Sequence, residues 1–132
     1  MRYIFGKKKR SSVKKRTETD KKQIPLISVT LKRHRDNQGN HHHVILEDID
    51  DKHVSVGTTT KAKKGKNSTN YGCENDVVGN GKRSYLRRQG IVDSRDKYFD
   101  QKVGRMTEKD YAQAKIYGER AKEKYLSQKK KK

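Results

Sequence analysis

The sequence predicts a small, mainly β domain that ends in one α-helix. Three observations carry this. Between residues 24 and 56, β-branched and apolar residues alternate with polar ones, the two-residue period of half-buried strands. Short turn segments rich in Asp, Asn and Gly break up those runs. From Tyr111 to Tyr125 the apolar spacing changes to three and four, which marks one face of a helix.

Composition sets the frame. A chain of 132 residues is one domain by default. The net charge is +19 and the isoelectric point about 10.1, an excess that repels itself and calls for an anionic partner. Leu, Ile, Val and Phe make up roughly a sixth of the chain, low enough to suggest disorder in part of it. They concentrate at residues 24–56, at 85–92 and in the last third. The expected organisation is a disordered basic arm at 1–23, a single domain at 24–128 and a basic tail at 129–132. Cys73 is the one cysteine, so no internal disulfide forms, and its neighbours Glu74 and Asp76 do not favour a reactive thiolate. No apolar run reaches the ~18–20 residues of a membrane span, and the start is too short for a secretion signal. The expectation is a cytoplasmic protein with no membrane partner.

Taken in order, residues 1–23 hold Lys7-Lys8-Lys9-Arg10 and Lys14-Lys15-Arg16 with almost nothing apolar to pack. This reads as an arm along phosphates or a solvated tail, ahead of a two-part nuclear import signal. IPLISVTLKRHR, residues 24–35, is the first strand. Pro25 suits its start, and Ile27, Val29 and Leu31 share a face. Residues 36–40 form a turn around Gly39.

HHHVILEDIDDKHVSVGTTT, residues 41–60, is the central hairpin. A two-residue turn at Asp50-Asp51 sets Leu46 opposite Ser55, Val44 opposite Gly57 and His42 opposite Thr59. Residues 61–83 are polar and glycine-rich, a long loop of the functional or mobile kind. The stretch Gly79-Asn80-Gly81-Lys82 in it has a phosphate-loop flavour without Walker spacing, and a plain turn is the favoured reading. SYLRRQGIV, residues 84–92, reads as a strand with a bulge at Gly90. Residues 93–104 read as irregular. The helix spans 106–127, with a capping box at Thr107 and Asp110 and an inward stripe of Tyr111, Ala114, Gly118, Ala121 and Tyr125.

The basic residues are the strongest functional signal. Lys61, Lys63, Lys64 and Lys66 follow the hairpin, and Arg83, Arg87 and Arg88 flank the next strand. Converging at one sheet edge beside Tyr71 and Tyr85, they make a nucleic-acid surface, with RNA favoured. The plainer reading is a solvated basic surface. The five histidines predict no metal centre. His42 points away from His41 and His43, and His53 lies ~17 Å from His43 along the strands. There is no CxxC or HExxH, so strand-edge histidines facing solvent or RNA are expected, with no cofactor. His41 and His42 do meet Thr58 and Thr59 at the open end of the hairpin. Those residue types can move a proton and hold a phosphate, though ordinary cross-strand contacts explain them as well.

The order of these elements resembles the MazF/PemK toxin family. Val44-Ile45-Leu46 corresponds to the family's VVL segment, Thr59 to the threonine after the next strand, and Lys102-Val103-Gly104-Arg105-Met106-Thr107 to its closing segment. His41-His42 stands where the family pattern has Arg-Pro. The resemblance spans residues 24–126. It implies an SH3-like small β-barrel with a terminal helix, a homodimer, an acidic antitoxin-like partner and metal-independent cleavage of single-stranded RNA. Thr59 and His41 are then the candidate catalytic residues, with His41 as proton donor or cation in place of the arginine. The alternative is a non-catalytic RNA- or DNA-binding protein of a mobile element or nucleoprotein assembly. A structural protein that binds an acidic partner is a third class.

Overall fold

The computed structural model of the chain describes residues 24–36, 39–63 and 68–130. The expected basic arm at 1–23, Lys64, Lys66 and the last two residues of the tail lie outside these. Among the described residues seven antiparallel strands form one sheet, followed by one helix: β1 (Leu26–Asp36), β2 (Gly39–Ile49), β3 (Lys52–Thr59), β4 (Tyr71–Gly72), β5 (Tyr85–Leu86), β6 (Ile91–Ser94), β7 (Tyr98–Thr107) and α1 (Glu108–Lys130). The strand order is β4-β5-β3-β2-β1-β7. β6 also pairs with β3, below β5 on the same edge. The sheet is open: among the described residues no ladder joins β7 to β4, β5 or β6, so the closed barrel implied by the resemblance is not formed.

The first strand forms as its alternation predicts, burying Val29 and Leu31. The hairpin turns at Asp50, whose φ of 57° supplies the left-handed first position that a primed two-residue turn requires. Near the turn the expected register holds, with Asp48 opposite His53. Beyond it the register moves by one, because Leu46 is an extra residue, a β-bulge. Val44 therefore faces Val56 rather than Gly57, Ile45 rather than Leu46 faces Ser55, and His43 faces Gly57. The bulge keeps Val44 and Val56, both fully buried, on one face of the sheet.

Two sequence expectations are corrected further along. Residues 84–92 do not form one strand. They make β5 and the start of β6, separated where Arg87 turns back to bond the Gly57 carbonyl. Residues 93–104 are not irregular. They finish β6, pass a 3₁₀ turn (Arg95–Lys97) and enter β7, ten residues long. The alternation of β7 is hidden because Asp100 takes a φ of 52° and the β1 ladder shifts register beside it.

The helix begins two residues later than expected and covers the Val44/Val56 face. Thr107 Oγ1 accepts from the Asp110 N–H, one half of the predicted capping box. The Asp110 carboxylate, fully buried, does not reach back to the cap. It accepts from Tyr71 Oη at 2.8 Å and from the Glu74 N–H at 2.7 Å, which binds the 71–74 segment to the helix start. Cys73, Val77 and Leu86 enter the core with Met106, Ala114 and Tyr117. Burial pushes the Cys73 thiol up to about 12, so it stays protonated and unreactive at neutral pH. Small residues allow a close approach. A Cβ on Gly118 would lie 2.3 Å from Leu46 Cδ1, and one on Gly90 would lie 2.7 Å from the Tyr117 carbonyl oxygen. A helix backbone cannot move aside as a side-chain tip can. Gly90→Ala is therefore expected to destabilise the fold by about 1–3 kcal/mol, the usual cost of overpacking. Urea unfolding checks this, and an unchanged midpoint would contradict the packing described.

Candidate nucleic-acid interface

The core residues occupy one face of β1, β2 and β3. The other face carries polar side chains, and strand alternation decides which. His34 and Lys32 come from β1, His43 from β2, and His53, Ser55 and Gly57 from β3. Tyr98, the first residue of β7, sits among them. Its ring lies 4.7 Å from His34, 4.9 Å from His53 and 6.1 Å from His43, centroid to centroid. Strand-edge histidines facing solvent or RNA are the expectation, but His34, His43 and His53 are all buried, at 4–5% exposure, and do not face solvent. The rings of His43 and His53 both pack on Tyr98, so they lie closer together than the ~17 Å expected from strand spacing.

Buried polar groups must be paired, and here the pairs set ring orientations. Lys32 Nζ donates to His53 Nε2 at 2.9 Å, which leaves His53 Nδ1–H to donate to Asp48 Oδ1 at 2.6 Å. His43 Nδ1 shares a hydrogen bond with Ser55 Oγ at 3.0 Å, and Ser55 Oγ shares another with Tyr98 Oη at 2.8 Å. His34 Nε2–H donates to the Asp93 carboxylate at 2.9 Å, while its Nδ1 is buried with no hydrogen-bond partner among the described residues. Burial raises the Asp93 carboxyl, but the bonds from His34 and from the Ser94 N–H outweigh it and hold the group below the usual carboxylate value.

This cluster opens on a cleft of about 630 Å³. His34, His43 and Gly57 lie on its β-sheet side; Arg87, Arg88 and residues 68–70 line the rest. Gly57 is small for a reason. A Cβ there would lie 3.1 Å from His43 Nε2 and 3.2 Å from Arg87 Cδ, so the glycine lets the imidazole and the arginine stem meet. Arg88 is fixed by Nε–H donating to the Thr69 carbonyl at 2.9 Å and Nη1–H to Tyr117 Oη at 3.2 Å. Two guanidinium groups beside a buried imidazole suit a phosphodiester.

The structure gathers some of the sequence-derived residues and separates others. Arg87 and Arg88 line the cleft. Lys61 and Lys63 are exposed on the adjoining segment, which is tied to the cleft wall through the Asn70 N–H bond to the Ala62 carbonyl and the Lys63–Thr69 bridge. Arg83 is elsewhere: it bonds the Cys73 carbonyl at 2.7 Å and stacks on Tyr85. Tyr71 is committed to Asp110. His41 and Thr59 lie two residues along the same strand faces as His43 and Gly57, and the Thr59 hydroxyl accepts from the Lys61 N–H at 3.2 Å. The neighbouring Thr58 hydroxyl donates to the His42 carbonyl. Burial, with Lys102 and Arg33 nearby, keeps the His42 imidazole neutral to a lower pH than usual. The amides of Gly79 and Gly81 are taken up by the Asp76 carboxylate, so that loop is a turn. Among the described residues no group of three or more His, Cys, Asp or Glu side chains is placed to hold a metal ion. No helix among them is long and apolar enough to cross a membrane.

Burial pushes the Tyr98 phenol up to about 12. A folded-state value above the unfolded one of ~10 means a contribution to stability that is complete below pH ~10 and lost as pH rises towards 12. Tyr98→Phe removes that loss along with one hydrogen bond. It is expected to cost about 1 kcal/mol at pH 8 and to show a shallower fall in stability between pH 8 and pH 11. Chemical unfolding at the two pH values measures both effects, and identical falls would contradict the buried phenol. No protein-family model matches the chain, and no curated protein or solved structure matches it.

Proposed function

We propose that this is a nucleic-acid-binding protein of the MazF/PemK kind that cleaves single-stranded RNA without a metal, at the His43–Arg87 cleft. One observation carries the reading: an imidazole held by a buried Ser55–Tyr98 relay stands at a cleft that two arginines line. The strand sequence β6-β3-β2-β1-β7, with a 3₁₀ turn between β6 and β7, supports the SH3-like arrangement that goes with it, here left open. The homodimer and the acidic antitoxin-like partner belong to the same proposal.

The chemistry needs three things: a base for the ribose 2′-hydroxyl, an acid for the leaving 5′-oxygen, and positive charge for the pentacovalent phosphorus. The 2′-oxygen attacks the adjacent phosphorus and the P–O5′ bond breaks. The products are a 2′,3′-cyclic phosphate and a 5′-hydroxyl. His43 transfers one proton, its tautomer steadied from behind by Ser55. His41, two residues along the same strand face, supplies the second proton transfer, and Thr59 a hydroxyl for a phosphate oxygen. Arg87 and Arg88 stabilise the charge that develops on the phosphorane. A nucleic-acid-binding protein without chemistry uses the same cleft, and cleavage decides between the two.

The test is mixed-sequence RNA incubated with purified protein in EDTA. Fragments with 5′-hydroxyl ends are expected, and His43→Gln should slow their formation by about 10²–10⁴-fold, the usual worth of a positioned proton-transfer group. RNA that stays intact at high protein concentration, yet is bound with a steep salt dependence, would leave the non-catalytic reading. Binding insensitive to salt would contradict both.

A further inference from the structure

We propose that the RNA strand continues from the His43 cleft into a second groove along α1, where Arg120 and Lys124 hold the phosphates of flanking nucleotides. This rests on the cleft being an RNA site. The second groove, about 370 Å³, runs between residues 88–92 and the C-terminal half of the helix. Arg88, Gln89 and Ile91 line both depressions, so the two are continuous across one short segment. Arg88 stands at the junction, held by Thr69 on the first side and by Tyr117 on the second.

The helix presents two parallel rows to this groove. Tyr117, Ala121 and Tyr125 recur every fourth residue, and so do Arg120, Lys124 and Gln128. Arg120 and Lys124 are separated by ~6 Å of helical rise, close to the phosphate spacing of an extended single strand. Tyr117 to Gln128 covers ~16 Å, room for a few nucleotides. Tyr125, half-buried and held by its hydroxyl bond to Asp50, lines the same groove and gives a ring on which a base can stack.

Charge pairing separates this side of the helix from the other. On the hairpin side, Lys122 bonds Glu47 at 2.9 Å and Lys129 bonds Asp50 at 2.7 Å. Arg120 and Lys124, both exposed, have no ion pair among the described residues. The helix has neutralised the cations that face its own sheet and left those that face the groove for an external anion. An acidic protein would also complement that charge. Continuity with the arginine-lined cleft and the every-fourth-residue spacing favour a polynucleotide.

The experiment compares the wild type with Arg120→Glu/Lys124→Glu, using 2′-O-methyl RNA that cannot be cleaved. Affinity is measured for a dinucleotide, which fits the first cleft alone, and for a strand of about twelve nucleotides, a length within the usual span of single-strand sites. The double variant is expected to lose at least tenfold more affinity for the long strand than for the dinucleotide. Its salt slope for the long strand should also fall by about two. Circular dichroism of the variant, whose changes are on an exposed helix face, verifies the fold. Equal losses for both ligands, or no loss for the long strand, would overturn the second groove and leave the first cleft standing. Failure of the wild type to bind either ligand would overturn the RNA reading and this inference together.

Discussion

The geometry of the cleft depends on one extra residue. Leu46 bulges out of β2, so the hairpin changes register halfway along. A one-residue slip sends every side chain to the opposite face, and the bulge is what reconciles the two ends of the hairpin. At the turn, Asp48 must face His53 to bond it. Further on, Val44 must face Val56 to keep both in the core, which places His43 opposite Gly57. Leu46 also has its own use, packing on the helix where Gly118 leaves room. Core, relay and cleft thus follow from the same irregularity.

A sheet face that buries three histidines is costly unless each ring is bonded. The chain meets that condition with groups from separate strands: Asp48 and Lys32 for His53, Ser55 for His43, Asp93 for His34. Tyr98 joins the set by packing against all three rings and bonding Ser55. The helix solves a different problem. Its start is anchored by the buried Asp110 carboxylate, and its far end by Tyr125 and Lys129, both bonded to Asp50 at the hairpin turn. Fixed at both ends, it can offer the remaining face to a partner.

Much of the scaffold was legible. Alternation located β1, the double Asp located the hairpin turn, and the three-four spacing with Thr107 located the helix. What stayed hidden was non-local. The bulge has no signature in VILED, because any residue of that run can be the extra one. β7 was obscured by the left-handed Asp100. Cys73 and the short Val77-Val78 pair stand among polar and glycine residues, so the entry of Cys73 and Val77 into the core could not be read from periodicity. The basic arginines at 87 and 88 were identified by composition. Their companions His34, His43 and Gly57 were not, since only the fold brings β1, β2 and β3 to that segment. The usable hint was the polar alternation His53, Ser55, Gly57, which marks a second packed face rather than a solvated one.

NMR of the isotope-labelled protein with a single-stranded oligoribonucleotide tests the proposed location of RNA binding most directly. The first and largest shifts are expected on the His43 imidazole, the Arg87 and Arg88 guanidinium groups and the Gly57 amide, saturating together. Shifts confined to the lysine-rich residues before Ile24, with those cleft signals unmoved, would contradict it.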